Sequence, residues 1–178
     1  MLVLVVGPSG AGKDTLLDAA RTALAGDPRF RFVRRVITRP ADAGGEAHDA
    51  VTEAAFATRS FALAWQAHGL HYGIPDDIAA DLAAGRVVVA NVSRSVIAEA
   101  AARFPVRVIE ITAPPEVLAT RLATRGRESV ADVAARLART VARPEGIPVD
   151  TVMNDATVET GTARFLAALN RAAEAAQR

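Results

Sequence analysis

The chain has 178 residues and a formal net charge of +1; 51% of its residues are hydrophobic and only 4% aromatic. That length predicts one domain with a sizeable core, and so small a charge argues against a dedicated nucleic-acid binder, which would be distinctly basic. With no cysteine there is no disulfide, no thiol catalysis and little scope for structural zinc.

In chain order, Leu2-Val3-Leu4-Val5-Val6 reads as a central buried strand. It leads into Gly7-Pro8-Ser9-Gly10-Ala11-Gly12-Lys13-Asp14-Thr15, with a helix expected from Gly12 to about Ala25. The opening apolar run is too short for a secretory signal, and nothing reaches transmembrane length, so a cytoplasmic location without membrane contact is expected. Asp27-Pro28 breaks the chain, and Phe30 to Ile37 alternates loosely as a strand. Residues 40–50 form a polar, glycine-bearing excursion, and Thr52-Glu53 opens a short helix to about Thr58. Phe61 to His68 is a short apolar run ending at Gly69, near an expected helix end; His68 and His71 are spaced as on a helix, but Gly69 between them spoils a metal-ligand motif. Ile78 to Ala84 is a helix closed by Gly85, and Val87 to Ala90 a buried parallel strand. A helix over Ser95 to Arg103, a strand over Val106 to Ile111 and a helix opened by Pro114-Pro115-Glu116 follow. Ser129 to Asp132 resembles a capping box for a helix to about Arg143, Thr151 to Met153 a brief edge strand, and Val158 to Gln177 a final amphipathic helix. Strands alternating with helices predict a parallel α/β sheet with crossovers, and no linker or repeat interrupts it.

Lys13 is the only lysine; the other twenty cationic side chains are arginines. It closes a Gly-x4-Gly-Lys spacing between a strand and a helix, the setting of a phosphate-binding P-loop. Glycines let successive N–H groups curl round a polyphosphate, and the helix N-terminus adds partial positive charge. A slim ammonium follows the β- and γ-phosphates where a planar guanidinium is too wide.

Two features depart from the usual P-loop. The residue after the lysine is normally a Ser or Thr that ligates Mg²⁺; here it is Asp14, and Thr15 lies about 100° further round the helix. The acidic residue expected just after Val87–Ala90 is replaced by Asn91. The carboxylate has thus moved from that strand to the loop, where Asp14 is a candidate Mg²⁺ ligand; the alternative is a charge that only stabilises the helix start. Arginines cluster at 29, 31, 34, 35 and 39 and again at 121, 125, 127, 136, 139 and 143. Next to a P-loop, such clusters suit a transferring phosphoryl group. Asn154-Asp155 either touches adenine or is an ordinary turn.

Gly7 to Lys13, Ile37-Thr38-Arg39-Pro40, Gly45-Glu46, Gly69-x-His71-Tyr72-Gly73, Arg121-Leu122, Arg125-Gly126 and Arg136-Leu137 run in the order seen in guanylate kinases. The resemblance covers most of the chain. It implies a P-loop NTPase three-layer α/β fold with an acceptor-binding subdomain at about 35–82 and an arginine-bearing lid at about 124–138, in one domain over residues 1–178. At the positions where guanylate kinases read the guanine edge, this chain has Leu63 and Ile74. The second acceptor-phosphate arginine is missing from Ala41-Asp42, His48 stands where a tyrosine is expected, and Arg35 replaces a serine.

That altered pattern resembles the ribose 1,5-bisphosphate phosphokinase branch, through Gly12-Lys13-Asp14, Ile37 to Ala41, Gly45 to His48 and Asn91-Val92-Ser93-Arg94. It implies ATP-dependent phosphorylation of a small phosphorylated sugar, with Mg²⁺, in phosphonate breakdown. The ATP site implied is Gly7, Pro8, Ser9, Gly10, Ala11, Gly12, Lys13, Asp14 and Thr15. Lys13, Asp14, Arg125 and Arg136 are the expected catalytic residues, with Asp14 on the metal. Arg35, Arg39, Glu46, His48, Tyr72, Asn91, Ser93 and Arg94 are the expected acceptor residues. The alternatives are a nucleoside monophosphate kinase of relaxed base choice and a non-catalytic guanylate-kinase-like interaction domain.

Overall fold

Every residue of β1 (Leu2–Val6) is buried, because the strand lies in the middle of a sheet covered on both faces. The computed structural model describes residues 1–41, 47–123 and 146–177. With β2 (Phe30–Phe32), β7 (Val87–Asn91), β8 (Val106–Thr112) and β9 (Val149–Met153), β1 forms a five-stranded sheet in the order β2-β7-β1-β8-β9. All its pairings are parallel.

Successive strand residues serve opposite faces. Val3, Val5, Val87 and Val89 pack on Leu16 and Ala20 of α1 (Lys13–Ala23) and on Phe165, Leu169 and Ala172 of α6 (Val158–Ala176). Leu2, Leu4, Val88 and Ala90 face Ile78 of α3 (Ile78–Ala83) and Ile97 and Ala100 of α4 (Ile97–Arg103). The three-layer α/β arrangement expected from the sequence is therefore present. Thr157 caps α6 by accepting from the Thr160 N–H, and Pro115 sits in the first turn of α5 (Pro115–Ala123).

A second sheet had no counterpart in the sequence reading. It contains β3 (Val36–Ile37), β4 (Asp49–Ala50), β5 (Phe61–Ala67) and β6 (Leu70–Pro75) in the order β4-β3-β6-β5, with α2 (Glu53–Ala57) between β4 and β5. The expected helix end at Gly69 is instead a hairpin turn: His68 (φ 52°) and Gly69 (φ 71°) are both left-handed, as a two-residue hairpin of this twist requires. Three alanines in Phe61–Ala67 hide the strand from propensity; cross-strand partners such as Trp65 opposite Tyr72 hold it. The single strand expected over Phe30 to Ile37 is two strands in different sheets, and Arg35 sits at the crossing.

Leu63 and Ile74 pair across that hairpin and are essentially buried, at 1% and 0% exposure, in the core beneath α4. They support the sheet rather than line an acceptor surface.

Asp81 of α3 ties this region to the main sheet, accepting from Arg31 on β2 and, at 2.6 Å, from Arg86 before β7. Hydrogen bonding from Arg31, reinforced by both guanidinium charges, holds its carboxyl below the ordinary value of 3.8. A depressed carboxylate adds stability that is complete above its unfolded pKa and lost as pH falls through its folded pKa. Asp81→Asn is therefore expected to lower the urea midpoint at pH 7, with the difference from the parent shrinking below about pH 4. Urea melts at intervals from pH 7 to pH 3 check this; a difference that stays constant over that range would deny Asp81 its role.

Candidate active site

Between β1 and α1 the chain must reverse in a few residues, and glycines make this possible. Gly7, Gly10 and Gly12 have φ of 150°, 83° and 85°, values that side-chain-bearing residues rarely adopt. Space is equally restrictive: a Cβ on Gly7 would lie 2.0 Å from the Ile111 carbonyl oxygen, and one on Gly12 would lie 2.5 Å from Asn154 Nδ2. Lys13 is the first residue of α1, and its Nζ donates to the carbonyls of Gly7 (2.9 Å) and Pro8 (3.0 Å). The ammonium thus lies back along the loop, at the positive end of the helix.

Asp14 and Asn91, 77 residues apart, meet here. Asn91 ends β7, and its Nδ2 donates to Asp14 Oδ1 at 3.2 Å. The two departures from the usual P-loop are thus one spatial exchange, a carboxylate on the loop facing an amide on the strand. Thr15 points out to solvent, as its helical angle predicts. A carboxylate and an amide oxygen are hard donors of the kind Mg²⁺ takes alongside substrate phosphates and water. Among the described residues no cluster of three His, Cys, Asp or Glu side chains competes for that role. The pair lines a cleft with Asp18, Arg21 and Arg35, floored by Phe32 and Val89.

The first arginine cluster divides by partner. Arg29 pairs with Asp27, Arg31 with Asp77 and Asp81, and Arg34 with Asp49. Arg35 lines the cleft with its guanidinium 5.2 Å from the Tyr72 ring and 6.0 Å from the Trp65 ring, which stack on each other at 5.4 Å. Such contacts fix the direction of a long cation. Arg39 Nη2 donates to His48 Nδ1 at 3.2 Å, and His48 Nε2–H donates back to the Arg39 carbonyl at 3.1 Å. The Arg39 Nε is shielded from solvent and meets no acceptor among the described residues.

Ser93 caps a 3-10 turn over Arg94–Val96, and Arg94 is held by Glu110 at 2.8 Å. That pair ties Arg94 to β8. Glu46, Arg125 and Arg136 lie outside the described residues.

Sequence reasoning passed over Trp65 and left Arg121 and Asn154 without firm roles. Arg121 of α5 reaches the Gly10 carbonyl at 3.5 Å. Asn154 follows β9 and is 6% exposed, with its Nδ2 donating to the Ala11 carbonyl at 2.8 Å. Its place at the carboxyl end of a parallel strand, where such sheets bind ligands, was the available signal. Asp155 pairs with Arg164 at 2.7 Å on the surface.

No protein-family model matches the sequence. Among solved structures, the chain resembles a guanylate kinase from Anaplasma phagocytophilum, with a TM-score of 0.68 and 16% identity over 96% of this chain and 85% of that one. A sugar kinase from Janibacter is similar at a TM-score of 0.54 and 18% identity, covering 95% of this chain and 94% of its own. The ribose 1,5-bisphosphate phosphokinase PhnN of Acidiphilium cryptum is 54% identical over 170 residues, 96% of this chain and 92% of that protein. That of Methylobacterium radiotolerans is 52% identical over 174 residues, 94% of this chain and 96% of that protein. In Cupriavidus necator the matching segment, 56% identical over 93% of this chain, forms 28% of a bifunctional ribose 1,5-bisphosphokinase-thymidine phosphorylase. With identity above half along nearly the whole length of two such relatives, on a guanylate-kinase-like fold, the chain belongs to the ribose 1,5-bisphosphate phosphokinase family.

Proposed function

We propose that this chain transfers the γ-phosphoryl group of ATP to the 1-phosphate of ribose 1,5-bisphosphate, giving 5-phosphoribosyl 1-diphosphate and ADP, in phosphonate catabolism. The observation that carries this is the family membership along nearly the whole chain. In the transfer, an oxygen of the acceptor's 1-phosphate bonds to the γ-phosphorus, the bond from that phosphorus to the β–γ bridging oxygen breaks, and ADP leaves with the electron pair. The attacking oxygen is already anionic, so no general base is required, and catalysis is positioning and charge neutralisation.

The P-loop N–H groups and Lys13 take the ATP polyphosphate. Asp14 and Asn91 are the residues that would hold Mg²⁺, which neutralises charge on the bound phosphates. Arg39, with its sheltered Nε, suits one acceptor phosphate, and Arg35 on its aromatic pair suits the other. His48 uses both ring nitrogens on Arg39, so its part is to orient that guanidinium. In this reading the chain works as one cytoplasmic kinase unit, with the acceptor subdomain over about residues 35–82 and a lid over about 124–138. Arg125 and Arg136 keep the transition-state role that the resemblance to guanylate kinases implies.

Leu63 and Ile74 weigh against a guanylate-kinase activity, since both are core residues without a polar group to offer a base. The test offers ribose 1,5-bisphosphate and GMP separately with Mg-ATP, with products identified by phosphorus NMR. A diphosphate on the anomeric carbon is expected, with a preference over GMP of roughly 10²-fold or more in kcat/KM. Efficient GDP formation without turnover of the sugar would overturn the assignment.

A further inference from the structure

Asn154 is one of two polar residues that are buried in the described structure, and the other is Asn91 in the cleft. We infer that Asn154 is a positioning residue for the nucleotide: its amide sets the direction of the Ala11–Gly12 peptide and so shapes the hollow that receives the ATP polyphosphate. The inference rests on the reading of Gly7–Lys13 as the ATP-phosphate cradle.

Two hydrogen bonds and two close glycines fix the residue. Its backbone N–H donates to the Thr112 carbonyl at 2.7 Å, placing the residue in line with the end of β8. Its Nδ2 donates to the Ala11 carbonyl at 2.8 Å. On either side stands a glycine with no room for a Cβ. One added to Gly12 would come within 2.5 Å of Nδ2, and one added to Gly161 of α6 within 2.5 Å of Oδ1. The amide is thus wedged between the P-loop and the last helix.

A trans peptide points its C=O and N–H in opposite directions. Holding the Ala11 carbonyl toward Asn154 therefore turns the Gly12 N–H away from β9 and α6, to the side where the loop encloses its ligand. Gly12 can follow because its φ of 85° is open to glycine. The Ala11 N–H is bonded within the loop to the Pro8 carbonyl at 3.3 Å, so the peptides on both sides of Ala11 are held. An unheld loop would have to order these peptides when the triphosphate binds, at a cost in affinity.

The experiment uses the full chain and two probes, ATP and inorganic tripolyphosphate, which lacks a base. Binding is measured by titration calorimetry below the melting transition of each variant, alongside KM for ATP and for ribose 1,5-bisphosphate. Asn154→Asp keeps the shape but sets a carboxylate oxygen against the Ala11 carbonyl. It is expected to weaken ATP and tripolyphosphate by the same factor, about tenfold, and to move the acceptor KM by less than about twofold. Gly161→Ala pushes on Oδ1 from the other side and should give the same pattern in a chain that keeps Asn154, so the test survives if Asn154→Asp fails to fold. In an Asn154→Ala background, adding Gly161→Ala should weaken binding little further, because the clash with Oδ1 is gone and the remaining close neighbour, Leu16 Cδ2 at 3.1 Å, is the end of a flexible side chain.

A loss confined to ATP, with tripolyphosphate unaffected, would make Asn154 a base contact and overturn the inference. A lower melting temperature with both affinities unchanged would reduce it to packing. If tripolyphosphate binds the parent chain but not Lys13→Ala, the cradle reading stands and only these Asn154 outcomes are at stake. If the parent chain itself binds neither probe, the cradle reading falls and this inference with it.

Discussion

Lys13→Ala is expected to lower kcat by roughly 10²-fold or more while the chain stays folded. The side chain lies over the loop surface rather than in the core, with its Nζ on the Gly7 and Pro8 carbonyls, so its removal takes away a charge and leaves the packing intact. Those two contacts at 2.9 and 3.0 Å also define a narrow seat. A guanidinium is broader than an ammonium and presents its N–H groups in a fixed plane, so Lys13→Arg should recover little of the lost rate. Single-turnover rates for the three proteins, with circular dichroism to verify folding, decide the matter. Near-full activity in Lys13→Arg would remove the lysine from its central role.

Asp14→Asn should raise the Mg²⁺ concentration for half-maximal rate by about tenfold, with metal-free ATP binding almost unchanged. The substitution is nearly isosteric and retains an oxygen for the 3.2 Å contact from Asn91. What it removes is the negative charge at the mouth of the loop. Because that contact joins the two departures from the common P-loop, the paired change Asp14→Ser with Asn91→Asp should restore the usual arrangement and recover more activity than either change alone. Initial rates across a Mg²⁺ series at saturating ATP measure both effects. An unchanged Mg²⁺ dependence in Asp14→Asn would leave Asp14 as a charge that only stabilises the start of α1.

The sequence by itself determined the parts whose chemistry is local. A fully apolar β1, glycines at 7, 10 and 12 and the lone lysine at 13 specify a strand, a tight turn and a helix N-terminus within thirteen residues. The continuous apolar run from Val87 to Ala90 likewise announces a parallel strand, because both faces of such a sheet are covered. The exchange of carboxylate and amide between Asp14 and Asn91 was legible as two separate oddities.

Only the tertiary structure could join them, since the strand order places residues 77 positions apart within hydrogen-bond reach. The hairpin at His68-Gly69 was hidden for a related reason: Phe61–Ala67 is alanine-rich, and its strand state comes from partners across the turn. Composition also could not tell Arg35 from Arg29, Arg31 and Arg34. All four are guanidiniums in one short stretch, and only the fold sets Arg35 in the cleft against Tyr72 and Trp65. The same holds for Asn154. Its dipeptide with Asp155 reads equally as an adenine contact or as a turn, and its contact with Ala11 exists only because β9 and α6 bring the C-terminal part of the chain back to the loop where the chain began.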